Sequence, residues 1–127
     1  MGTRRIRISG ALAAGLVVIT AVVTGCASPA EQRTQVAEDA YAAVASAALA
    51  LEVAPGTPVL ATAVDDAMRE VMDAETRAVE LPAGPQRDTL LTALRRAQDA
   101  LLLARDHGAD AAAALRGARD ALEEAGG

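Results

Sequence analysis

Residues 90–122 read LLTALRRAQDALLLARDHGADAAAALRGARDAL, and their apolar side chains recur in steps of four and three without a slip. Small residues take one position of this heptad pattern, and leucine takes most of the other. Such a seam is typical of α-helices that pack closely, because alanine needs little room between two backbones. The pattern therefore predicts a helical bundle. The seam consists of Leu90, Leu94, Ala97, Leu101, Ala104, Gly108, Ala111, Leu115, Ala118 and Leu122.

Gly108 leaves the number of helices open. Glycine can lie just past the end of one helix, with Asp110 as the cap of a fourth. The unbroken register equally allows one helix of about 40 residues, which would tolerate the glycine at a cost of ~1 kcal/mol. At about 1.5 Å per residue, that helix would overhang the others by roughly 20 Å. Both arrangements are consistent with the sequence.

Two further helices precede this segment, and both have N-terminal capping signals. Ser28-Pro29-Ala30-Glu31 supplies a capping serine, a proline in the first turn and a glutamate three residues after the cap. Thr57-Pro58 starts the second helix in a similar way. The short connections 55–58 and 82–85 favour antiparallel neighbours. We therefore predict an all-α, Ala/Leu-rich, three- or four-helix antiparallel bundle over residues 29–125, with helices at about 29–54, 58–81, 86–107 and 110–125, the last two separate or continuous.

The first 25 residues differ in character from the rest. Arg4, Arg5 and Arg7 precede an uncharged apolar run over 11–23, and the only cysteine of the chain, Cys26, follows shortly after. A basic segment, a short apolar segment and small residues before a cut site are typical of a secretory signal peptide. The apolar run is too short for a membrane-spanning helix, which needs about 20 residues. We therefore predict a cleaved N-terminal signal peptide over residues 1–25.

Val23-Thr24-Gly25-Cys26 resembles the lipobox of bacterial lipoproteins, in which an aliphatic residue, a small residue and Gly or Ala precede the cysteine. The lysine-free, alanine-rich composition is similar to that of actinobacterial proteins. The resemblance implies that the thiol of Cys26 receives a diacylglyceryl group, with or without a further N-acyl group, and that residues 26–28 form a short tether. It implies a lipid anchor on the extracytoplasmic face of the cell membrane. Arg4-Arg5 leaves twin-arginine export open beside general secretion.

The charge of the chain after residue 25 limits its partners. All 12 basic residues are arginines, of which three lie in the signal, whereas all 17 acidic residues follow it. The remaining 102 residues thus have nine arginines against 17 acids, a net charge of −8. Such a domain does not attract nucleic acid and is repelled by anionic lipid headgroups. Membrane attachment then depends on the acyl chains, which contribute on the order of 20 kcal/mol at about 0.8 kcal/mol per methylene.

The sequence offers few residues for chemistry. Asp66, Glu70 and Asp73 share a face of the second helix, where their oxygens could hold a cation. Arg69 lies among them at salt-bridge spacing, as does Arg77, so we interpret this face as a solvated charged surface. The only histidine, His107, is expected at a helix end, where the helix dipole favours it. We predict no catalytic site, no metal site and no cofactor beyond the acyl groups.

From these observations we predict a non-enzymatic lipoprotein whose helices bind an envelope protein or stabilise an envelope assembly. The alternative is a bundle that binds a small apolar ligand or lipid between its helices. Because few large side chains are available for the core, we also expect a homodimer through the 90–122 seam. Met68 and Met72 are expected to fill gaps in the core.

Overall fold

The computed structural model describes residues 27–127, apart from the side chain of Ala109, and these residues form four α-helices. A 3₁₀ turn, Gly108–Ala111, joins the last two helices. The all-α prediction is confirmed, and the four-helix arrangement is the correct one of the two left open. The predicted signal peptide and the Val23–Cys26 motif lie outside the described residues. The helices are α1 (Pro29–Val53), α2 (Pro58–Val79), α3 (Pro85–His107) and α4 (Ala112–Gly126).

Neighbouring helices run antiparallel around a ring. The hydroxyl of Thr34, near the start of α1, donates to the carbonyl oxygen of Gly126 at the end of α4, at 2.6 Å. Arg77, near the end of α2, donates to Asp39 in the first half of α1 at 3.0 Å. Each helix packs against its two neighbours in the ring, and α1 also contacts α3 across the diagonal. The result is one apolar core enclosed by all four helices.

The seam residues other than Gly108 form this core together with buried side chains of α1 and α2, among them Val36, Val44, Val64 and Val71. In the part of the chain that the structure describes, no polar or charged residue is buried. Because the 90–122 seam is buried within a single chain, it has no surface left for a second copy. The seam therefore belongs to the core of one chain, and the homodimer stays a prediction that would need another surface. The largest fully buried side chains are Leu90, Leu94, Leu101, Leu115, Leu122, Val44, Val64 and Val71.

The turn between α3 and α4 depends on Gly108. Its backbone has φ +55° and ψ −113°, a combination that side-chain-bearing residues rarely adopt. The sequence register runs on through this turn because Ala104 and Ala111 are seven residues apart and both point into the core. Asp110 does not cap α4, since the 3₁₀ turn leads into that helix at Ala111 with no capping side chain.

Alanine substitutions at two glycines test this turn, because they should act in opposite directions. Gly108→Ala should destabilise the fold by about 1–2 kcal/mol, since it forces a side chain onto positive-φ backbone. Gly117→Ala, inside α4, should be neutral or stabilise by about 0.5–1 kcal/mol. A Cβ at Gly117 would come within 2.6 Å of an Nη atom of Arg96, but this is the far end of a flexible side chain. Chemical denaturation would measure both; a stabilising Gly108→Ala would indicate one continuous helix instead.

Candidate functional site

The end of the bundle next to Cys26 contains the start of α1 and α3 and the end of α2 and α4. We term it the proximal end, formed by residues 27–31, 79–87 and 123–127. The opposite, distal end contains residues 53–58 and 107–112. Pro29, the first residue of α1, follows Cys26 by three residues, so at most about 11 Å of extended chain lies between them. A group attached to Cys26 therefore stays close to the proximal end.

A capping box fixes the start of α1, as the sequence predicts. The hydroxyl of Ser28 accepts from the backbone N–H of Glu31 at 3.1 Å, and the Glu31 carboxylate accepts from the N–H of Ser28 at 3.0 Å. The pKa of the Glu31 carboxyl lies below its ordinary value. The larger cause is its hydrogen bond with the Ser28 N–H, and the smaller cause is its interaction with the Ser28 hydroxyl. Thr57 caps α2 in a similar way, accepting from the N–H of Leu60 at 3.3 Å.

Removing either member of the capping box should weaken the fold. We expect Ser28→Ala to lower the free energy of unfolding by about 1 kcal/mol at neutral pH. The ionised form of Glu31 contributes stability above the unfolded pKa of about 4.5, and this contribution is lost as the pH falls through the lower folded pKa. Glu31→Gln should therefore reduce the loss of stability on acidification in that window.

Thermal unfolding followed by circular dichroism from pH 7 to pH 3 would measure both effects. Ser46→Ala is the matched control, because Ser46 is also exposed but lies inside α1. It should change stability by less than about 0.5 kcal/mol. A pH dependence of the Glu31→Gln protein equal to that of the parent would contradict the assignment.

Two of the three carboxylates on the acidic face of α2 are ion-paired and the third, Glu70, is exposed, in agreement with the interpretation of this face as a solvated surface. Arg69 pairs with Asp66 at 3.0 Å, and Arg77 pairs with Asp73 at 3.5 Å. Between α2 and α3, Glu75 accepts from both Arg95 and Gln98, and Asp65 pairs with Arg105. Exposed pairs of this kind contribute little each, about 0–1 kcal/mol. Over residues 27–127, no three His, Cys, Asp or Glu side chains are grouped so that they could hold a metal ion.

A surface cleft of about 340 Å³ lies between α1 and α4 near the proximal end. Ala37, Tyr41, Leu122 and Gly126 provide its apolar lining. The guanidinium of Arg119 lies 6.0 Å from the centre of the Tyr41 ring, at the outer limit of a cation–π contact. A second cleft of about 340 Å³ follows in the distal half of the same groove. Open space therefore occurs along the groove between α1 and α4, and Tyr41 marks its proximal part.

A smaller cleft, of about 50 Å³, lies at the proximal end itself. Two arginines from different helices, Arg33 and Arg87, lie in its wall, and Pro29 borders it beside the tether. Arg87 also donates to the carbonyl oxygens of Val79 and Leu81, at 3.2 and 3.3 Å, and thus caps the end of α2. Sequence reasoning missed this pair, because the two arginines are far apart in the chain and form no motif.

Six large apolar side chains are exposed among the described residues. Met72 is 54% exposed, contrary to the expectation that it fills the core, whereas Met68 packs against the core as expected. Met72 lies on α2 and Leu102 on α3, and neither belongs to the core. His107 is exposed in the last turn of α3, where the sequence places it. The six are Leu49, Val53, Val59, Met72, Val79 and Leu102.

Comparison with known proteins assigns the chain to no family. No protein-family model, no curated protein and no solved structure matches the chain. Within residues 27–127, none of the helices combines the length and the apolar character that crossing a membrane requires.

Proposed function

We propose that this protein is a lipoprotein anchored through Cys26 to the extracytoplasmic face of the cell membrane, and that its bundle is a non-enzymatic interaction or structural module of the envelope. The observation that supports this most is the Val23–Cys26 motif placed directly before a folded domain. Helix α1 begins at Pro29, so the domain starts where the signal and tether end. A diacylglyceryl group on Cys26 would hold the proximal end at the membrane surface.

The features of the bundle favour binding over catalysis. The core of the described residues is entirely apolar, and both described serines and the single histidine are exposed at the surface. The exposed apolar side chains on α1, α2 and α3 offer contacts that a helical partner in the envelope can use. Crosslinking of cells that produce the native protein, followed by its purification, tests for such a partner. Recovery of the bundle without any crosslinked envelope protein would count against the interaction role.

Mass spectrometry of the native protein tests the anchor directly. We expect the mature chain to begin at Cys26 and to have the added mass of a diacylglyceryl group, with or without one further acyl chain. An unmodified Cys26, or a chain that still contains residues 1–25, would overturn the proposal.

The cleft between α1 and α4 supports a second candidate function, the binding of a small apolar ligand or lipid. Its volume of about 340 Å³ is at the lower end of the range of small-molecule sites. Tyr41 is the only aromatic residue of the chain, so its fluorescence reports on this cleft alone. Titration of the native protein with a fatty acid should change the Tyr41 emission in a saturable way. An emission that stays constant would exclude this use of the cleft.

A further inference from the structure

The proximal cleft is a concentration of positive charge in an acidic domain. Its wall contains Arg33 from α1 and Arg87 from α3, and the other lining residues are uncharged: Pro29, Leu81, Pro82 and Gln86. The chain after residue 25 has nine arginines against 17 acids, so a cleft with two arginines and no carboxylate departs from the overall composition. Two like charges in one small cleft repel each other unless an anion lies between them.

Neither arginine is neutralised by a partner within residues 27–127. Arg33 makes no ion pair and no hydrogen bond to any group of the described chain. Arg87 donates through one Nη atom to the carbonyl oxygens of Val79 and Leu81, which orients its guanidinium beside the cleft. The Nε atoms of both residues are shielded from solvent and lack an acceptor. Arg69, Arg77, Arg95 and Arg105 pair with carboxylates, and Arg116 and Arg119 line a cleft that also contains Glu52. Of the clefts described above, the proximal one alone has two arginines and no acid in its wall.

The start of α3 adds to the positive potential at this cleft. Gly84 occupies its N-cap position, and no side chain caps the first turn, whereas Ser28 and Thr57 cap the starts of α1 and α2. An uncapped helix N-terminus directs free backbone N–H groups and the positive end of the helix dipole outward. Gln86 and Arg87, in this first turn, line the cleft. The one acid of the turn, Asp88, is exposed and is not part of the lining.

The chemistry of these groups matches a phosphate. Guanidinium groups bind phosphate oxygens through two parallel hydrogen bonds, and helix N-termini bind the same anion. The cleft volume of about 50 Å³ suits a few water-sized atoms, such as the oxygens of one phosphate group. An apolar ligand would leave the Nε atoms of both arginines without an acceptor, at a cost in free energy.

The position of the cleft indicates which kind of phosphate-bearing molecule would reach it. Pro29 borders the cleft, and it follows Cys26 by three residues, or at most about 11 Å of extended chain. We propose that Arg33 and Arg87, with the start of α3, bind the phosphate of a membrane phospholipid. The membrane source of that phosphate rests on the proposed lipid anchor, whereas the phosphate site itself does not. The interaction would orient the bundle with its proximal end toward the bilayer, even though the net charge of the domain is negative.

The first arm of the test uses inorganic phosphate. The native protein in neutral detergent is titrated with phosphate at constant ionic strength, and its unfolding temperature is measured. The site predicts a saturable rise in that temperature. Arg33→Gln should weaken the apparent phosphate affinity tenfold or more, because it removes a charged hydrogen-bond donor. Since Arg33 has no bond to the described chain, this variant should fold normally, unlike Arg87→Gln, which loses the cap of α2.

The second arm distinguishes a phospholipid from free phosphate. The native protein is inserted by its anchor into phosphatidylglycerol vesicles or into vesicles of digalactosyl diacylglycerol, which has no phosphate. Amide hydrogen exchange of residues 81–88 should slow in the phospholipid vesicles only, and Arg33→Gln should abolish the difference. The control Arg69→Gln/Arg116→Gln removes twice the charge from elsewhere on the surface and should retain the difference.

The outcomes distinguish a phospholipid site, a site for a soluble phosphate compound and the absence of a phosphate site. A phosphate effect that Arg33→Gln weakens, with equal exchange in both vesicles, would overturn the lipid assignment and indicate a soluble phosphate compound. No saturable effect of phosphate, or an effect that Arg33→Gln leaves unchanged, would overturn the site. A protein that lacks the acyl group and does not enter either vesicle would disprove the proposed anchor, while the phosphate titration would still decide the site.

Discussion

Replacing Leu101 with alanine should lower the free energy of unfolding by about 2–5 kcal/mol, the cost of removing a fully buried leucine. Leu101 is fully buried in α3, at the centre of the 90–122 seam. The core has few large side chains, and alanines around the site cannot extend to fill the space. Since small domains have about 5–15 kcal/mol of stability in total, the loss is a large part of it. Denaturation in urea, followed by circular dichroism, measures the change.

Leu102 provides the matched control for this substitution. It is the next residue on the same helix, but 45% of it is exposed. Leu102→Ala should therefore cost less than about 1 kcal/mol, because little apolar surface leaves the core. Equal losses for the two variants would mean that α3 is rotated relative to the arrangement described above, or that Leu102 is covered by a partner.

Replacing Cys26 with serine should abolish lipid attachment, which is the largest functional change we expect. Serine has no thiol to form the thioether with a diacylglyceryl group, and about 20 kcal/mol of membrane attachment is lost with the two chains. Labelled palmitate supplied to producing cells should enter the parent protein and be absent from the Cys26→Ser protein. Because Cys26 precedes α1, the unfolding temperature of the bundle should change little.

Gly25→Ala is the control for the Cys26 substitution. The lipobox pattern accepts Gly or Ala before the cysteine, so this variant should incorporate palmitate like the parent. Palmitate that remains on the Cys26→Ser protein would show that the acyl group is attached elsewhere. Loss of the label from both variants would indicate that processing depends on glycine at this position rather than on the general pattern.

Local signals in the sequence predict most of the fold. Ser28, Glu31 and Thr57 cap helices because their side chains accept from backbone N–H groups three residues away, which is a property of the local chain alone. The heptad seam likewise predicts which residues are buried, since helical periodicity fixes the face that each one occupies. These features need no knowledge of the other helices.

The features that sequence reasoning left open depend on contacts between distant residues. The heptad register is the same for one long helix and for two helices joined by the turn at Gly108, so the pattern could not choose between them. The turn is favoured in the folded state because α4 then covers α1 and α3. The Arg33–Arg87 cleft and the position of Tyr41 in a groove also arise only when helices from different parts of the chain come together.

An even number of helices returns the carboxyl terminus to the side of the molecule where the chain enters, and the bond from Thr34 to Gly126 holds it there. With the proposed lipid anchor on Cys26, a fluorescent protein or affinity tag placed after Gly127 would lie against the bilayer, where antibodies and resins would reach it poorly. Gly56, in the exposed connection between α1 and α2, lies at the far tip and has open space around it. An epitope inserted there should be reached on intact, wall-stripped cells far more readily than the same epitope at the carboxyl terminus.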